Sequence, residues 1–131
     1  MKAVTMAAFL LAGCTAAGGG SDRIGLGEWV ARDINGMPVV SGPVTFRLEK
    51  GGRASGSGGC NSWSAPYDLK AREGIRIGPV TSTRKACEPA VMEQENRYFE
   101  ILRLAQGYSF YSDRSLSLIA ADGRAVRFRS R

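Results

Sequence analysis

The chain has 131 residues, of which 44% are apolar and 23% charged, and its formal net charge is +6. This length and balance fit one folded domain, leave no room for two, and exclude a chain that is mainly disordered. The sequence contains no histidine. The side chain most used for acid–base catalysis near neutral pH, which is also the commonest metal ligand, is therefore missing.

The first residues have the pattern of an export signal. Lys2 precedes an apolar run over residues 3–10, and Leu11-Ala12-Gly13-Cys14 follows. The run is shorter than the ~20 residues that a membrane-spanning helix needs. Small residues after such a run are typical of the cleavage site of a secretory signal peptide. We therefore predict a signal peptide over residues 1–13.

The tetrad Leu11-Ala12-Gly13-Cys14 resembles the lipobox of bacterial lipoproteins. The resemblance implies that Cys14 carries lipid, and two or three acyl chains at ~0.8 kcal/mol per buried methylene hold a protein firmly on a membrane. An ordinary signal peptide with an incidental cysteine is the alternative. Thr15 after the cysteine, by resemblance to enteric lipoproteins, favours the outer membrane and a domain facing the periplasm. Residues 14–27, rich in glycine, are expected to form a lipidated flexible tether.

The other cysteines, Cys60 and Cys87, are two in number. In an exported chain an even number favours a disulfide. The chain-entropy relation gives roughly 3 to 4 kcal/mol for a loop of this length. Free buried thiols and a reactive or metal-binding role are the alternatives, although two thiols without histidine fall short of the usual four zinc ligands. We predict no metal and no cofactor.

Short segments with alternating or β-favouring residues predict strands. Turn signals separate several of them, including Asn35-Gly36, the glycines of residues 50–53, and Asp122-Gly123, which suits a tight type I′ hairpin. Pro79 should end the strand before it. The predicted strands cover residues 29–34, 44–49, 54–57, 75–77, 108–111, 116–118 and 126–128.

Between Cys87 and Gly107 the apolar residues recur at helical spacing, which predicts one amphipathic helix. Pro89 fits its first turn, and Gly107 suits the left-handed position just past its end. Glu95 lies inside the apolar stripe, where it either reaches out to solvent, the simpler interpretation, or forms hydrogen bonds within the domain. The stripe consists of Val91, Met92, Glu95, Tyr98, Phe99, Leu102 and Ala105.

These elements predict an α+β domain over residues 28–131. About seven short antiparallel strands would form a strongly curved sheet or partial barrel, which the helix closes.

Three segments resemble the META domain, the family of HslJ-like lipoproteins. They are residues 29–39, residues 56–67 with the sequence Gly-Cys-Asn at their centre, and residues 81–102. The resemblance implies a small envelope lipoprotein, linked in some members to stress tolerance or antibiotic resistance, and it supplies no catalytic residues. The matching motif residues outside the cysteines include Trp29, Gly56, Gly59, Asn61, Tyr67 and Thr83.

The Gly-Cys-Asn segment also has a physical interpretation of its own. Glycines before Cys60 let the backbone bend sharply, while Asn61 tolerates a left-handed conformation and can bond its own backbone. A structural role is therefore the simpler interpretation, and contact with a ligand is the alternative.

Side chains that could carry out catalysis do not form a recognisable set. Serines are frequent, but no histidine is present to activate them, and a dyad of Ser82 and Lys85 is only formally possible. Carboxylates such as Asp33, Asp68 and Glu73 stand among polar neighbours and are expected on the surface. We therefore predict that the protein is not an enzyme.

Arginines are concentrated at the C-terminus. Alternation places Arg127, Arg129 and Arg131 on the strand face opposite Val126 and Phe128. They would either contact anionic lipid or form a solvated face that discourages edge-to-edge pairing. Nucleic acid is not an expected partner of a periplasmic lipoprotein. The residues proposed to contact an anionic surface are Arg124, Arg127, Arg129 and Arg131.

Together these patterns predict a monomeric, non-enzymatic envelope lipoprotein. It would be attached to the membrane through its N-terminal lipid, and would bind or support another envelope protein or lipid, in stress or antibiotic tolerance. A carrier of a small apolar ligand, as lipocalins are, is one alternative. A lysozyme-inhibitor type of lipoprotein is another, but its basic target would be repelled by a net charge of +6.

Overall fold

The computed structural model describes residues 23–131, so the predicted signal peptide and Cys14 lie outside the described residues. This part of the chain contains ten strands and one long helix. In chain order they are β1 Glu28–Ile34, β2 Met37–Pro38, β3 Thr45–Glu49, β4 Arg53–Ser57, β5 Ser62–Lys70, β6 Gly74–Ile77, β7 Thr81–Ser82, α1 Pro89–Arg103, β8 Ala105–Phe110, β9 Leu116–Ala120 and β10 Ala125–Ser130.

Eight of the strands in residues 23–131 form a barrel. Their order around it is β10-β9-β8-β6-β5-β4-β3-β1, and β1 pairs back with β10. The ring is antiparallel throughout. The predicted α+β class with a curved sheet and one helix is confirmed. The sheet closes into a complete barrel, whereas a partial barrel was also considered. Pairing the first long strand with the last removes both open edges of the sheet.

All seven predicted strands are present, but the two-residue strands β2 and β7 were not predicted, and neither was β5. It is the longest strand of the described chain, with nine residues, and Pro66 lies within it. Proline lacks a donor for the ladder and is seldom found in the middle of a sheet. The sheet accommodates it because Gly78 leaves room. A Cβ atom on Gly78 would lie 2.6 Å from Cγ of Pro66, and the Gly78 N–H donates to the Pro66 carbonyl at 2.8 Å.

An aromatic cluster fills the inside of the barrel. Tyr98 of α1 is fully buried, with its ring centroid 6.1 Å from that of Trp63 and 6.3 Å from that of Phe128. Its hydroxyl donates to the Thr45 carbonyl at 2.8 Å. The helix contacts β1, β6, β9 and β10, and β1 and β6 lie on opposite sides of the ring. The helix therefore closes one end of the barrel.

The helix begins at Pro89, as predicted, but ends at Arg103 with Leu104 as its C-cap. The prediction that Gly107 follows the helix end in a left-handed position is therefore wrong. Gly107 lies in β8 opposite Gly74, where a Cβ atom would be 3.3 Å from the Glu73 carbonyl oxygen. Its lack of a side chain allows β6 and β8 to approach each other.

The predicted turns at Asn35-Gly36 and Asp122-Gly123 are both present, but their backbone conformations differ from each other. Asn35 and Gly36 both have positive φ, at 51° and 79°, as a type I′ turn requires. The hairpin at Asp122-Gly123 is confirmed, but of these two residues only Gly123 has positive φ, at 92°. Its N–H donates to the Ala120 carbonyl at 2.9 Å. The type I′ prediction is therefore wrong for this second turn.

The packed domain extends further towards the N-terminus than the predicted boundary at residue 28. Ile24 is fully buried, and its carbonyl accepts a hydrogen bond from Nε1 of Trp29 at 3.0 Å. Glycines on both sides of the Ile24 and Leu26 pair made this stretch look like part of the tether. The anchoring of Trp29 shows that residue 24 belongs to the core.

Tyr98→Phe tests the role of the buried hydroxyl. We expect a loss of about 1 kcal/mol in the free energy of unfolding at pH 7, because the bond to Thr45 is removed. Burial raises the pKa of Tyr98 well above its usual value. The wild type is therefore stabilised below the pKa of an unfolded tyrosine, about 10, and loses that stability as the pH rises further.

Urea unfolding at pH 7 and above pH 10 measures both effects. Tyr98→Phe should weaken the alkaline loss of stability. Tyr111→Phe is the control. A hydrogen bond with Ser117 lowers the pKa of Tyr111, so removing the Tyr111 hydroxyl should not weaken the alkaline loss of stability. An unchanged alkaline dependence in Tyr98→Phe would contradict the assignment.

Candidate functional site

A buried carboxyl group holds the Gly-Cys-Asn turn against the helix. Glu95 is only 2% exposed. Its Oε1 atom accepts from the backbone N–H groups of Asn61 at 2.6 Å and Cys60 at 3.2 Å. Its Oε2 atom accepts from Nδ2 of Asn61 at 2.7 Å. The simpler interpretation, in which Glu95 reaches out to solvent, is therefore wrong.

The side chain of Asn61 carries the same network to the next segment. Its Oδ1 atom accepts from Oγ1 of Thr83 at 2.8 Å and from the N–H of Lys85 at 2.7 Å. Its Nδ2 group also donates to the Lys85 carbonyl at 3.1 Å. The expected bond to its own backbone is not formed in the described residues. Asn61 instead binds both backbone groups of Lys85, as a neighbouring strand would.

Two glycines allow the carboxyl group to approach the turn. A Cβ atom on Gly58 would lie 2.6 Å from Cγ of Glu95, so any larger residue would collide with it. Gly59 has φ of +111°, a conformation that favours glycine. The sharp bend that the sequence predicted before Cys60 is therefore located at Gly59.

Gly58→Ala is expected to lower the free energy of unfolding by about 2 kcal/mol, because the added methyl group would push against Glu95. Gly107→Ala is the matched control. Its Cβ would be 3.3 Å from the Glu73 carbonyl oxygen, so we expect a smaller loss. Thermal and urea unfolding of both variants measure this, and equal losses would count against close contact between Gly58 and Glu95.

The disulfide predicted between Cys60 and Cys87 is present, with a Cα–Cα distance of 6.1 Å. It joins the Gly-Cys-Asn turn to the residue before the helix N-cap, Glu88. The segment between β7 and α1 is therefore held by the Asn61 side chain and, at its end, by the disulfide.

A groove lies between residues 80–86 and one face of α1, with a volume of about 660 Å³. Phe99, 5% exposed, lies at its base, and Val80 and Met92 beside it are half-buried. The groove residues that carry positive charge are Arg84, Lys85 and Arg103.

None of these three cations forms an ion pair with another residue of the described chain. The groove thus combines an apolar base with unneutralised positive charge.

The sequence of this domain matches a known family. Residues 22–131 match the family described as META domain. The chain belongs to the META domain family. Its resemblance to that family, inferred from three segments, is thereby confirmed.

Solved structures share the fold of this META domain. An NMR structure of a protein from Burkholderia xenovorans is 23% identical, has a TM-score of 0.63, and the match covers 79% of this chain and 80% of that one. A second NMR structure is 22% identical with a TM-score of 0.67, over 82% of this chain and 92% of that one. No curated protein matches the chain.

A crystal structure of a DUF4847 family protein from Bacteroides vulgatus ATCC 8482 is similar at 15% identity, with a TM-score of 0.60 over 82% of this chain and 94% of that one. At these identities the likeness concerns the fold alone.

Several of the motif residues lie away from the groove of the META domain. Trp29 is 4% exposed, and its ring packs 5.9 Å from that of Phe110. The Tyr67 hydroxyl donates to the Glu49 carbonyl at 3.2 Å. Gly56 lies in β4, where a Cβ atom would collide with the Thr45 carbonyl oxygen. Asn61 and Thr83 line the groove, and Gly59 lies in the turn that Glu95 holds.

The C-terminal arginines of the META domain are partly neutralised. Arg124 contacts Glu100 at 2.9 Å and Asp122 at 2.8 Å. Arg131 contacts Glu28 at 2.8 Å, and this hydrogen bond lowers the pKa of the Glu28 carboxyl group.

The two remaining arginines are exposed on β10. The Arg127 guanidinium lies 4.7 Å from the ring centroid of Tyr111, and Arg129 forms no ion pair within residues 23–131. The strand face predicted from alternation is therefore present, but much of its charge is engaged internally.

Sequence reasoning missed one further buried polar residue of the helix. Gln94 is 2% exposed. It accepts from the Val40 N–H at 2.7 Å and donates to the Ser41 carbonyl at 3.2 Å. Because Gln94 is buried next to Glu95, the buried face of α1 is wider than the predicted apolar stripe. The sequence signal for Glu95 was its place within the apolar stripe, whereas Gln94 stands among the polar positions of the helix and gave no such signal.

The described residues contain neither a cluster of metal ligands nor a helix that could span a membrane. In the described part of the chain, no three Cys, Asp or Glu side chains lie close enough together to hold a metal ion. Among residues 23–131 no helix has the length and apolar character needed to cross a bilayer.

Proposed function

We propose that this protein is a non-enzymatic envelope lipoprotein whose META domain binds another envelope component through the groove between residues 80–86 and α1. The observation that carries the proposal is the combination of a concave surface, a buried aromatic base at Phe99 and unpaired cations at its sides. Hydrogen bonds of Glu95 and Asn61 hold its walls in place. Such a preformed surface is suited to binding.

Lipid attachment at Cys14 is part of this proposal. Support comes from the sequence Leu11-Ala12-Gly13-Cys14 and the glycine-rich residues that follow it. We place the protein in the outer membrane, facing the periplasm, with the domain tethered close to the membrane and monomeric. A role in stress or antibiotic tolerance belongs to the same proposal and rests on the family resemblance.

Cys14→Ser is expected to abolish lipid attachment. The protein should move from the membrane fraction to the soluble fraction of the envelope, because without acyl chains no stable anchor remains. Fractionation and intact-mass measurement test this, with Thr15→Ala as the control that stays in the membrane. An unmodified Cys14 in mature, membrane-associated protein would contradict the proposal.

The alternatives receive less support from the fold. A carrier in the manner of lipocalins needs space inside the barrel, but Phe46, Tyr98 and Phe128 are fully buried there. An inhibitor of a basic enzyme would need an acidic surface, whereas the groove is basic. For Ser82 and Lys85, the described residues show no hydrogen bond between the two side chains, and the backbone of Lys85 is engaged by Asn61.

Chemical crosslinking of the tagged full-length protein in intact cells tests the proposed function. We expect one defined envelope partner, recovered from wild type and reduced when Cys14→Ser removes the membrane anchor. Failure to recover any partner, together with unchanged sensitivity to envelope stress and antibiotics after gene deletion, would contradict the proposal.

A further inference from the structure

The edge of β7 that faces away from β5 has backbone groups available for pairing. Thr81 and Ser82 pair with Ser64 and Trp63 of β5, and the Thr83 N–H donates to the Ser62 carbonyl at 3.0 Å. In an antiparallel ladder, alternate residues direct their N–H and C=O groups to opposite sides. The backbone groups of Ser82 therefore point away from β5.

The same alternation continues after β7. The N–H of Lys85 is bound by Asn61, so the backbone groups of Arg84 between Thr83 and Lys85 face the other side as well. Residues 80–86 form one wall of the groove, so the backbone groups of Ser82 and Arg84 that point away from β5 lie in that wall. The groove thus contains an unpaired strand edge.

The facing wall is one side of α1, formed by Met92, Asn96, Phe99 and Arg103. Their spacings of three and four residues place them in one row along the helix. From Met92 to Arg103 this row extends about 17 Å, at ~1.5 Å per residue. About five residues of extended chain, at ~3.4 Å each, span the same distance. The size and shape of the groove fit an extended peptide segment.

The positive charge of the groove indicates which kind of peptide segment it would bind. Arg84, Lys85 and Arg103 form no ion pair within residues 23–131. Glu95, the acidic residue among those that line the groove, has both oxygens occupied by donors of residues 60 and 61. An occupant with carboxylate groups would complement these cations.

We propose that the groove binds an extended, acidic segment of a partner protein, which pairs with the free edge of β7 and places its carboxylates against Arg84, Lys85 and Arg103. This inference rests on the proposed function and specifies its partner. Strand addition supplies affinity through main-chain hydrogen bonds, while the cations supply selectivity. The C-terminal arginines are less suited, since Arg124 and Arg131 already pair with carboxylates of the domain.

Site-specific photocrosslinking of the full-length protein in intact cells tests the inference. A photoreactive residue replaces Asn96, which is exposed in the groove, or Arg76, which is exposed on β6 as a control. We expect position 96 to capture a protein segment that contains several Asp or Glu residues when its sequence is determined by mass spectrometry. Position 76 should not capture it.

Charge reversal provides the second part of the test. Lys85→Glu combined with Arg103→Glu should reduce capture at position 96 at least tenfold, whereas the matched pair Lys50→Glu and Arg72→Glu should leave it unchanged. Thermal unfolding verifies that each variant is folded. If the reversed pair does not fold, Lys85→Met with Arg103→Met removes the charge while keeping much of the side-chain volume, and the same loss is expected.

Capture of a segment without acidic residues, capture of lipid, or capture that is insensitive to Lys85 and Arg103 would overturn this inference. Capture at position 76 but not at position 96 would contradict binding through the groove and overturn the proposed function as well, whereas capture at position 96 of a segment without acidic residues would leave the proposed function standing. No captured partner at either position, together with no partner from chemical crosslinking of the whole surface, would overturn both.

Discussion

Replacing Glu95 with alanine is expected to lower the free energy of unfolding by about 4 kcal/mol. The substitution removes the acceptor of three buried or half-buried N–H groups, namely the backbone N–H groups of Cys60 and Asn61 and one of the two side-chain N–H groups of Asn61; the other side-chain N–H still donates to the Lys85 carbonyl. Each buried unsatisfied donor costs about 1–3 kcal/mol. The space left by the side chain adds to the loss. Urea unfolding under oxidising conditions, so that the disulfide stays intact, measures it.

Two variants control this experiment. Glu95→Gln keeps one acceptor and the side-chain volume, so we expect a loss of about 1–2 kcal/mol. Glu93→Ala removes an exposed carboxyl group from the same helix and should change stability by less than about 0.5 kcal/mol. If Glu95→Ala cost no more than Glu93→Ala, the network would not contribute to the stability of the domain.

Loss of the disulfide is expected to be nearly as costly. Cys60 and Cys87 are 27 positions apart, and the chain-entropy relation for such a loop gives roughly 3 to 4 kcal/mol. Cys60→Ser combined with Cys87→Ser should lower the free energy of unfolding by that amount. Wild type measured in reductant should show a similar loss.

The double variant is its own control for the reductant, because its stability should not change when reductant is added.

Mass measurement after alkylation tests the bond in the envelope itself. Wild type should gain alkyl groups at Cys60 and Cys87 only after reduction. Alkylation of both cysteines in unreduced envelope material would contradict the disulfide there.

Strands were predictable where apolar and polar residues alternate along the chain. The alternation of buried and exposed residues in β3 and β10 is a local pattern, and it was sufficient to predict both. β5 was not predicted, and Gly78, the residue that accommodates its Pro66, lies outside the strand in the segment that follows β6. Barrel closure depends on pairing β1 with β10, about a hundred residues apart, which no local pattern specifies.

The candidate site was predictable only in part. The even number of cysteines left in a chain that we expect to be exported predicted the disulfide correctly. Glu95 was assigned to solvent because a sequence pattern shows that a polar residue lies in an apolar stripe but does not show its partner. That partner, Asn61, is 34 positions away. Ile24 was assigned to the tether for the same reason, since its contact with Trp29 is made by the backbone carbonyl.

These contacts explain how a small barrel with a filled interior can present a binding surface. The Glu95 and Asn61 side chains use their hydrogen bonds to position residues 83–85 opposite the helix. Two buried polar residues therefore hold the walls of the groove in place, and the cations of the groove remain available for a ligand. Variants of Glu95 should consequently weaken partner binding as well as stability, whereas Lys85 and Arg103 variants should affect binding alone.

Amide hydrogen exchange of the full-length protein, alone and with the partner segment identified by crosslinking, tests the central claim most directly. We predict that added protection is confined to the groove, with the amides of Ser82 and Arg84 slowed most because they would donate to the added strand. Protection confined to β10 around Arg127 and Arg129, or unchanged exchange at Ser82 and Arg84 with the partner bound, would contradict the account.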